Sequence, residues 1–220
     1  MGTNPDGDRA TGLRTSRTLI VDGLAGRRGE RILFRDFGLA LRPGELVWLR
    51  AANGYGKTTL LRVLAGLARP EAGTIRWSDA TGQATVYLAH ANALKDDLTV
   101  LESVRYQATL HGLGASEASI ADAIRRFGLQ SRRHAPVRTL SQGQRRRVAL
   151  TRLCLSDPHS TWLLDEPWDA LDTDGVALVT TLLNEHAARR GNALFTSHVA
   201  PAIDATALRT VQFDALPTAA

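Results

Sequence analysis

The chain has 220 residues, 44% of them apolar, which is enough for one domain with a sizeable core. No run of about 18 apolar residues occurs, so no segment reads as a membrane-spanning helix. The single cysteine, Cys154, excludes an intrachain disulfide and suits a reducing compartment, and a net charge of +5 favours anionic partners without choosing among them. Residues 1–17 are polar and lack the apolar centre of a secretory signal. They read as a disordered tail, and residues 18–220 as one domain.

Short apolar segments follow at Thr18–Val21, Ile32–Phe34, Phe37–Leu41 and Glu45–Leu49, parted by Gly23, Gly26, Gly29 and Pro43-Gly44. This pattern predicts a small antiparallel β layer leading into a central buried strand. Ala51-Ala52-Asn53-Gly54-Tyr55-Gly56-Lys57-Thr58-Thr59 comes next, then a leucine-rich helical stretch from Leu60 that Gly66 and Pro70 close. Thr74–Trp77 and Thr85–Leu88 read as strands with a turn at Ser78–Gly82. Thr99 and Glu102 form a capping box that opens a helix through about His111. Ser116–Phe127 and Gln142–Leu155 are two further helices, the second opened by a box of Ser141 and Gln144. Residues 95–155 are therefore a helical insertion in an α/β chain. Strand–helix alternation then resumes with strand Thr161–Leu164, helix Val176–Arg189, and strands Ala193–Thr196 and Leu208–Phe213. The intervening helices imply a mainly parallel sheet.

A strand, a glycine-rich turn and a helix, in that order, form the context of a phosphate-binding P-loop. The glycines let backbone N–H groups face phosphate oxygens, and the helix adds the positive end of its dipole. Lys57 would reach the phosphates and the Thr58 hydroxyl would ligate Mg²⁺. Strand Thr161–Leu164 ends in Asp165 and Glu166, a second metal ligand and a candidate general base for the attacking water. Ser141, at a helix N-terminus beside Gly143, makes a further anion site.

Asn53–Thr59, Leu140-Ser-Gln-Gly-Gln-Arg-Arg-Arg-Val-Ala149, Leu163-Leu-Asp-Glu-Pro167, Ala170-Leu-Asp172 and Thr196-Ser-His198 stand in the order found in ATP-binding cassette ATPases, which the chain resembles over about residues 18–200. The resemblance implies a P-loop NTPase with a cassette core, an N-terminal antiparallel β layer and a helical signature subdomain. It implies that Asn53, Gly54, Gly56, Lys57, Thr58 and Thr59 bind ATP. Ser141, Gly143 and Gln144 then close over the ATP of a second copy in a head-to-tail sandwich. It further implies that Asp172 lies on the loop that communicates across that dimer. His198 becomes the switch histidine that touches the γ-phosphate and holds Glu166.

Departures from the pattern narrow the branch. Arg28 stands where an aromatic residue usually stacks on adenine, and an Arg plane also stacks on a base. His90 stands at the strand end where a Gln usually faces the γ-phosphate; a neutral imidazole there can orient water or approach Mg²⁺, and a shifted alignment would give that place to Gln83. Ala51, Gln142 and Tyr55 depart from the usual P-loop and signature residues. Arg28, His90 with Lys95, and Asp172-Thr-Asp-Gly-Val176 resemble the ATP-binding subunits of cytochrome c maturation haem exporters. That implies an ATPase at the cytoplasmic face of a bacterial inner membrane, docked to a separate membrane subunit and not to nucleic acid, with Lys95 as a coupling contact. Another small exporter is the alternative, and a soluble cassette protein a weaker one.

Overall fold

In the computed structural model, which describes residues 17–52, 54–78, 85–204 and 206–213, the strands sort into two sheets. The first is antiparallel, in the order β2-β1-β4, from β1 (Leu19–Arg28), β2 (Arg31–Leu41) and β4 (Ala72–Trp77). Two predicted segments merge in β2, because Asp36 takes a positive φ of 53° and lets the strand continue through an irregular register.

The second sheet is parallel, in the order β5-β6-β7-β3-β8. Its strands are β3 (Leu46–Arg50), β5 (Thr85–Leu88), β6 (Thr161–Leu164), β7 (Asn192–Thr196) and β8 (Leu208–Gln212). The two strands read around Ser78–Gly82 thus belong to different sheets; residues 79–84, Gln83 among them, lie outside the described ones. Strands β6 and β7 are buried along their whole length, as a sheet covered on both faces requires.

Side-chain alternation along these strands builds two cores. Val47, Leu49, Leu163 and Leu194 pack with Leu60 and Leu61 of α1 (Lys57–Leu64) beneath the antiparallel sheet. Trp48, Trp162, Leu164 and Phe195 face the other way. They pack with α2 (Val100–Leu110), α3 (Glu117–Arg126), α4 (Gln142–Leu155) and α5 (Thr173–Ala188).

Thr99 and Ser141 close the predicted capping boxes of α2 and α4. Helix α5 starts three residues before the predicted Val176, at Thr173, because Asp172 caps it by accepting from the Gly175 N–H at 2.9 Å. Arg17, read as tail, belongs to the fold: it is buried, and its carbonyl accepts from Asn192 Nδ2 at 2.8 Å. Residues 1–16 lie outside the described ones. Among the described residues no helix is long and apolar enough to cross a membrane.

Candidate nucleotide site

Strand β3 delivers the chain to the glycine-rich turn at Arg50, and α1 begins at Lys57. Gly56 caps the helix at φ 98°, in the left-handed region, and a Cβ there would lie 3.0 Å from Leu33 Cβ. No side chain caps α1, so its first N–H groups stay open to an anion. Lys57 Nζ donates to the Ala51 carbonyl at 2.8 Å, which holds the ammonium over the loop. Ala51 is not among the residues with positive φ, so alanine is accommodated at the place of the usual glycine. Tyr55 is 39% exposed, clear of the loop's inner face. Asn53 lies outside the described residues.

The end of β6 places the carboxylates. Asp165 is buried; its Oδ2 accepts from Thr58 Oγ1 at 2.7 Å and its Oδ1 from Thr196 Oγ1 at 2.9 Å. The Thr196 hydroxyl in turn accepts from the Glu166 N–H at 3.0 Å. Glu166 turns the chain at φ 49°, a strained value for a residue with a Cβ. Its Oε2 accepts from the His198 N–H at 3.1 Å, and its Oε1 is buried, 3.4 Å from His198 Nε2 and without a hydrogen bond. Trp48 Nε1 donates to the Ser197 carbonyl at 3.1 Å and steadies the segment that presents His198.

Arg28, Gly54, Gly56, Lys57, Thr58, Thr59, His90, Asp165, Glu166 and His198 line one cleft of about 510 Å³. Arg31 and Asp169 join them, though neither was singled out from sequence. Among the described residues no group of three or more His, Cys, Asp or Glu can hold a metal. A hydroxyl beside a carboxylate instead suits Mg²⁺, which keeps waters and substrate phosphates as its other ligands. His90 stands on the same cleft, but its Nδ1 lies 3.5 Å from Asp169 Oδ2, and a nitrogen donor suits this hard cation less than oxygen does.

The remaining candidates lie elsewhere. Ser141, Gly143, Gln144 and Asp172 line a separate cleft of about 450 Å³ with Arg147 and Ala170. Ser141 Oγ accepts from the Gln144 N–H at 3.2 Å and Gln144 Oε1 from the Ser141 N–H at 3.1 Å, so the Gln144 amide serves the cap. A Cβ on Gly143 would lie 2.7 Å from the Ala170 carbonyl oxygen, so only glycine admits this close packing. Asp172 also accepts from Arg147 Nη2; with the Gly175 N–H, this contact holds the Asp172 carboxyl below its usual range. Lys95 stands apart from both clefts, its Nζ 4.3 Å from the centre of the Tyr106 ring.

Sequence reasoning missed Arg146, which is buried beneath Glu166. A signal was present: Ala149, Leu150 and Leu153 follow it at helical spacing and are all buried. Three consecutive arginines hid which one points inward.

Comparison with known proteins agrees with this geometry. The ABC transporter family model matches residues 34–169. The "Cytochrome c biogenesis ATP-binding export protein CcmA" of Methylococcus capsulatus is 48% identical over 82% of this chain and 90% of its own length. Proteins of that name from Aromatoleum aromaticum and Vibrio vulnificus are 42% and 37% identical over 84% and 88% of the chain, and over 91% and 98% of their own. A solved structure described as an ATP binding subunit of an ABC transporter superposes with a TM-score of 0.73 at 26% identity, covering 82% of this chain and 79% of the other. A second, a putative ABC transporter ATP-binding protein of Pyrococcus furiosus, shares the fold at a TM-score of 0.74 and 20% identity over 89% and 97% of the two chains. The chain belongs to the ABC transporter family of ATP-binding proteins and, within it, to the cytochrome c biogenesis ATP-binding export proteins.

Proposed function

We propose that this ABC ATPase powers the haem exporter of cytochrome c maturation from the cytoplasmic face of a bacterial inner membrane, coupled to a separate membrane subunit. The observation that carries the hydrolytic reading is the placement of Glu166: strained, pinned by His198, and adjacent to the Thr58–Asp165 pair. Lys57 leaves the Ala51 carbonyl for the phosphates of ATP, and the open N–H groups of α1 face the same anion. Thr58 and Asp165 would hold Mg²⁺, which would supply neutralisation of the charge developing on the phosphate oxygens. Glu166 accepts a proton from the water whose oxygen attacks the γ-phosphorus, and the bond to the bridging oxygen of ADP breaks. His198 fixes the carboxylate, His90 orients water from across the cleft, and Arg28 stacks on the base.

Ser141, Gly143 and Asp172 act on the nucleotide of a second copy. Their place in a different cleft from that of Lys57 supports this. The relatives' names support the export role, and Lys95 is the candidate contact with the membrane subunit. Glu166→Gln tests the reading: it binds ATP, lowers turnover about 10²-fold or more and accumulates an ATP-bound dimer. Wild-type turnover excludes Glu166 as the base, and a monomer at saturating ATP-Mg²⁺ excludes the sandwich. Haem export is tested by cytochrome c assembly in cells carrying the same variant, which fails if the chain drives that exporter.

A further inference from the structure

Arg146 carries a positive charge into the interior with no carboxylate directly bonded to it. Its side chain is 2% exposed. Nη1 donates to the carbonyls of Ala89 at 2.9 Å and His90 at 3.3 Å and to Asn92 Oδ1 at 3.1 Å. Nη2 donates to the carbonyls of Asp165 at 3.0 Å and Glu166 at 2.6 Å. One planar guanidinium thus gathers five acceptors from two segments, and each segment bears a residue of the nucleotide cleft. Burial lowers its pKa, against the attraction of Asp169, Asp165 and Glu166.

Glu166 holds a left-handed backbone that its Cβ disfavours, so neighbouring bonds must keep it there. Its N–H is taken by Thr196 and its carbonyl by Arg146 at 2.6 Å and, less closely, by the Asp169 N–H at 3.2 Å. The Arg146 Cα belongs to α4, five residues beyond Ser141, so the bond comes from the helix whose N-terminus lines the other cleft.

We propose that Arg146 is a positioning residue for hydrolysis, clamping the Glu166 turn and the His90 segment of its own copy to the signature helix. This rests on the reading of Glu166 as the general base. Movement of the signature helix against a second copy's nucleotide then reaches the carboxylate through this guanidinium. Lysine cannot replace it, because a point ammonium has three donors and no fork.

The test uses the full chain with Arg146→Met, Arg146→Lys and Glu166→Gln. ATP turnover, KM, affinity for a fluorescent ATP analogue and thermal midpoint are read for each. We expect kcat to fall about 10²-fold in Arg146→Met, the scale of a misplaced catalytic group, and about tenfold in Arg146→Lys. ATP affinity stays within about threefold in both, because neither P-loop nor Asp165 side chain is altered. Arg146→Lys covers the case in which the methionine variant does not fold. A kcat within about twofold of wild type in either folded variant, beside an inactive Glu166→Gln, overturns the role of Arg146 alone. So does a loss of ATP affinity in proportion to kcat and thermal midpoint, which marks general loosening. Wild-type turnover in Glu166→Gln removes the reading beneath it instead.

Discussion

The Thr58 hydroxyl donates to Asp165 Oδ2 across 2.7 Å, joining residues 107 positions apart. Helix α1 and the end of strand β6 therefore bring to one point the two oxygens proposed as Mg²⁺ ligands. Asp165→Asn keeps the shape and removes the charge. We expect a sharply weakened Mg²⁺ requirement curve, shifted to higher Mg²⁺, and turnover lower by about 10²-fold. A magnesium titration of ATPase activity checks this; an unchanged midpoint counts against Asp165 as a ligand.

Thr196 serves the same corner from behind. Its hydroxyl donates to Asp165 and accepts from the Glu166 N–H, and the residue is fully buried. Thr196→Val keeps volume and strands both partners. The expected cost is about 1–3 kcal/mol of stability together with a drop in kcat. Urea unfolding and steady-state kinetics on one preparation separate the two, and wild-type values in both discount the hydroxyl.

Gly143 packs on the loop that carries Asp172. The added methyl of Gly143→Ala meets the Ala170 carbonyl, whose residue already sits at φ 61°, and pushes the signature turn away from that loop. The P-loop lies on the other cleft and is untouched. Nucleotide affinity of the single chain therefore stays while turnover falls at least about tenfold. Equilibrium binding beside a turnover assay decides it, and equal loss of both contradicts a role confined to the partner's site.

His186 sets an acid limit on stability. Its ring stacks on Trp162 at 3.7 Å and 6°, and Nε2 lies 2.9 Å from the Ser160 carbonyl. Burial pushes its pKa down to about 4. The unfolded chain, with a histidine near 6.5, takes up the proton first. The contribution is thus complete above about pH 6.5 and is lost as pH falls toward about 4, by at most about 3 kcal/mol. His111, lowered by its own burial and by Arg152, acts in the same sense. His186→Phe keeps the stack and should flatten the pH dependence of the unfolding midpoint between pH 4 and 6.5. A slope equal to wild type assigns the acid sensitivity elsewhere.

Legibility in the sequence followed locality. Helices α2 and α4 announced themselves through Thr99 and Ser141, whose caps act within three residues, and α3 through its apolar spacing. Helix α5 hid its first turn, because Asp174 and Gly175 look like loop and only the folded cap at Asp172 makes them helical. In β2 the interruption at Arg35-Asp36 looked like a break, whereas pairing with β1 carries the strand across it. Motif residues of the cleft were readable because phosphate chemistry restricts their type. Asp169 and Arg146 were not, since their roles lie in contacts with residues 79 and 20 positions away, and Thr196, legible as the start of the His198 motif, gave no sign of its bond to Asp165, 31 positions away.

Strand β3, which carries the P-loop, pairs only with β7 and β8 among the described residues. Both of those neighbours lie at residues 192–212, while β3 itself ends at Arg50. During synthesis the phosphate loop is made early, yet neither of the strands that flank β3 exists until residues 192–212 have followed. Nucleotide capture therefore waits on residues far along the chain: in a nascent chain stalled short of Asn192, Lys57 and α1 follow an unpaired β3, and we expect no retention of ATP.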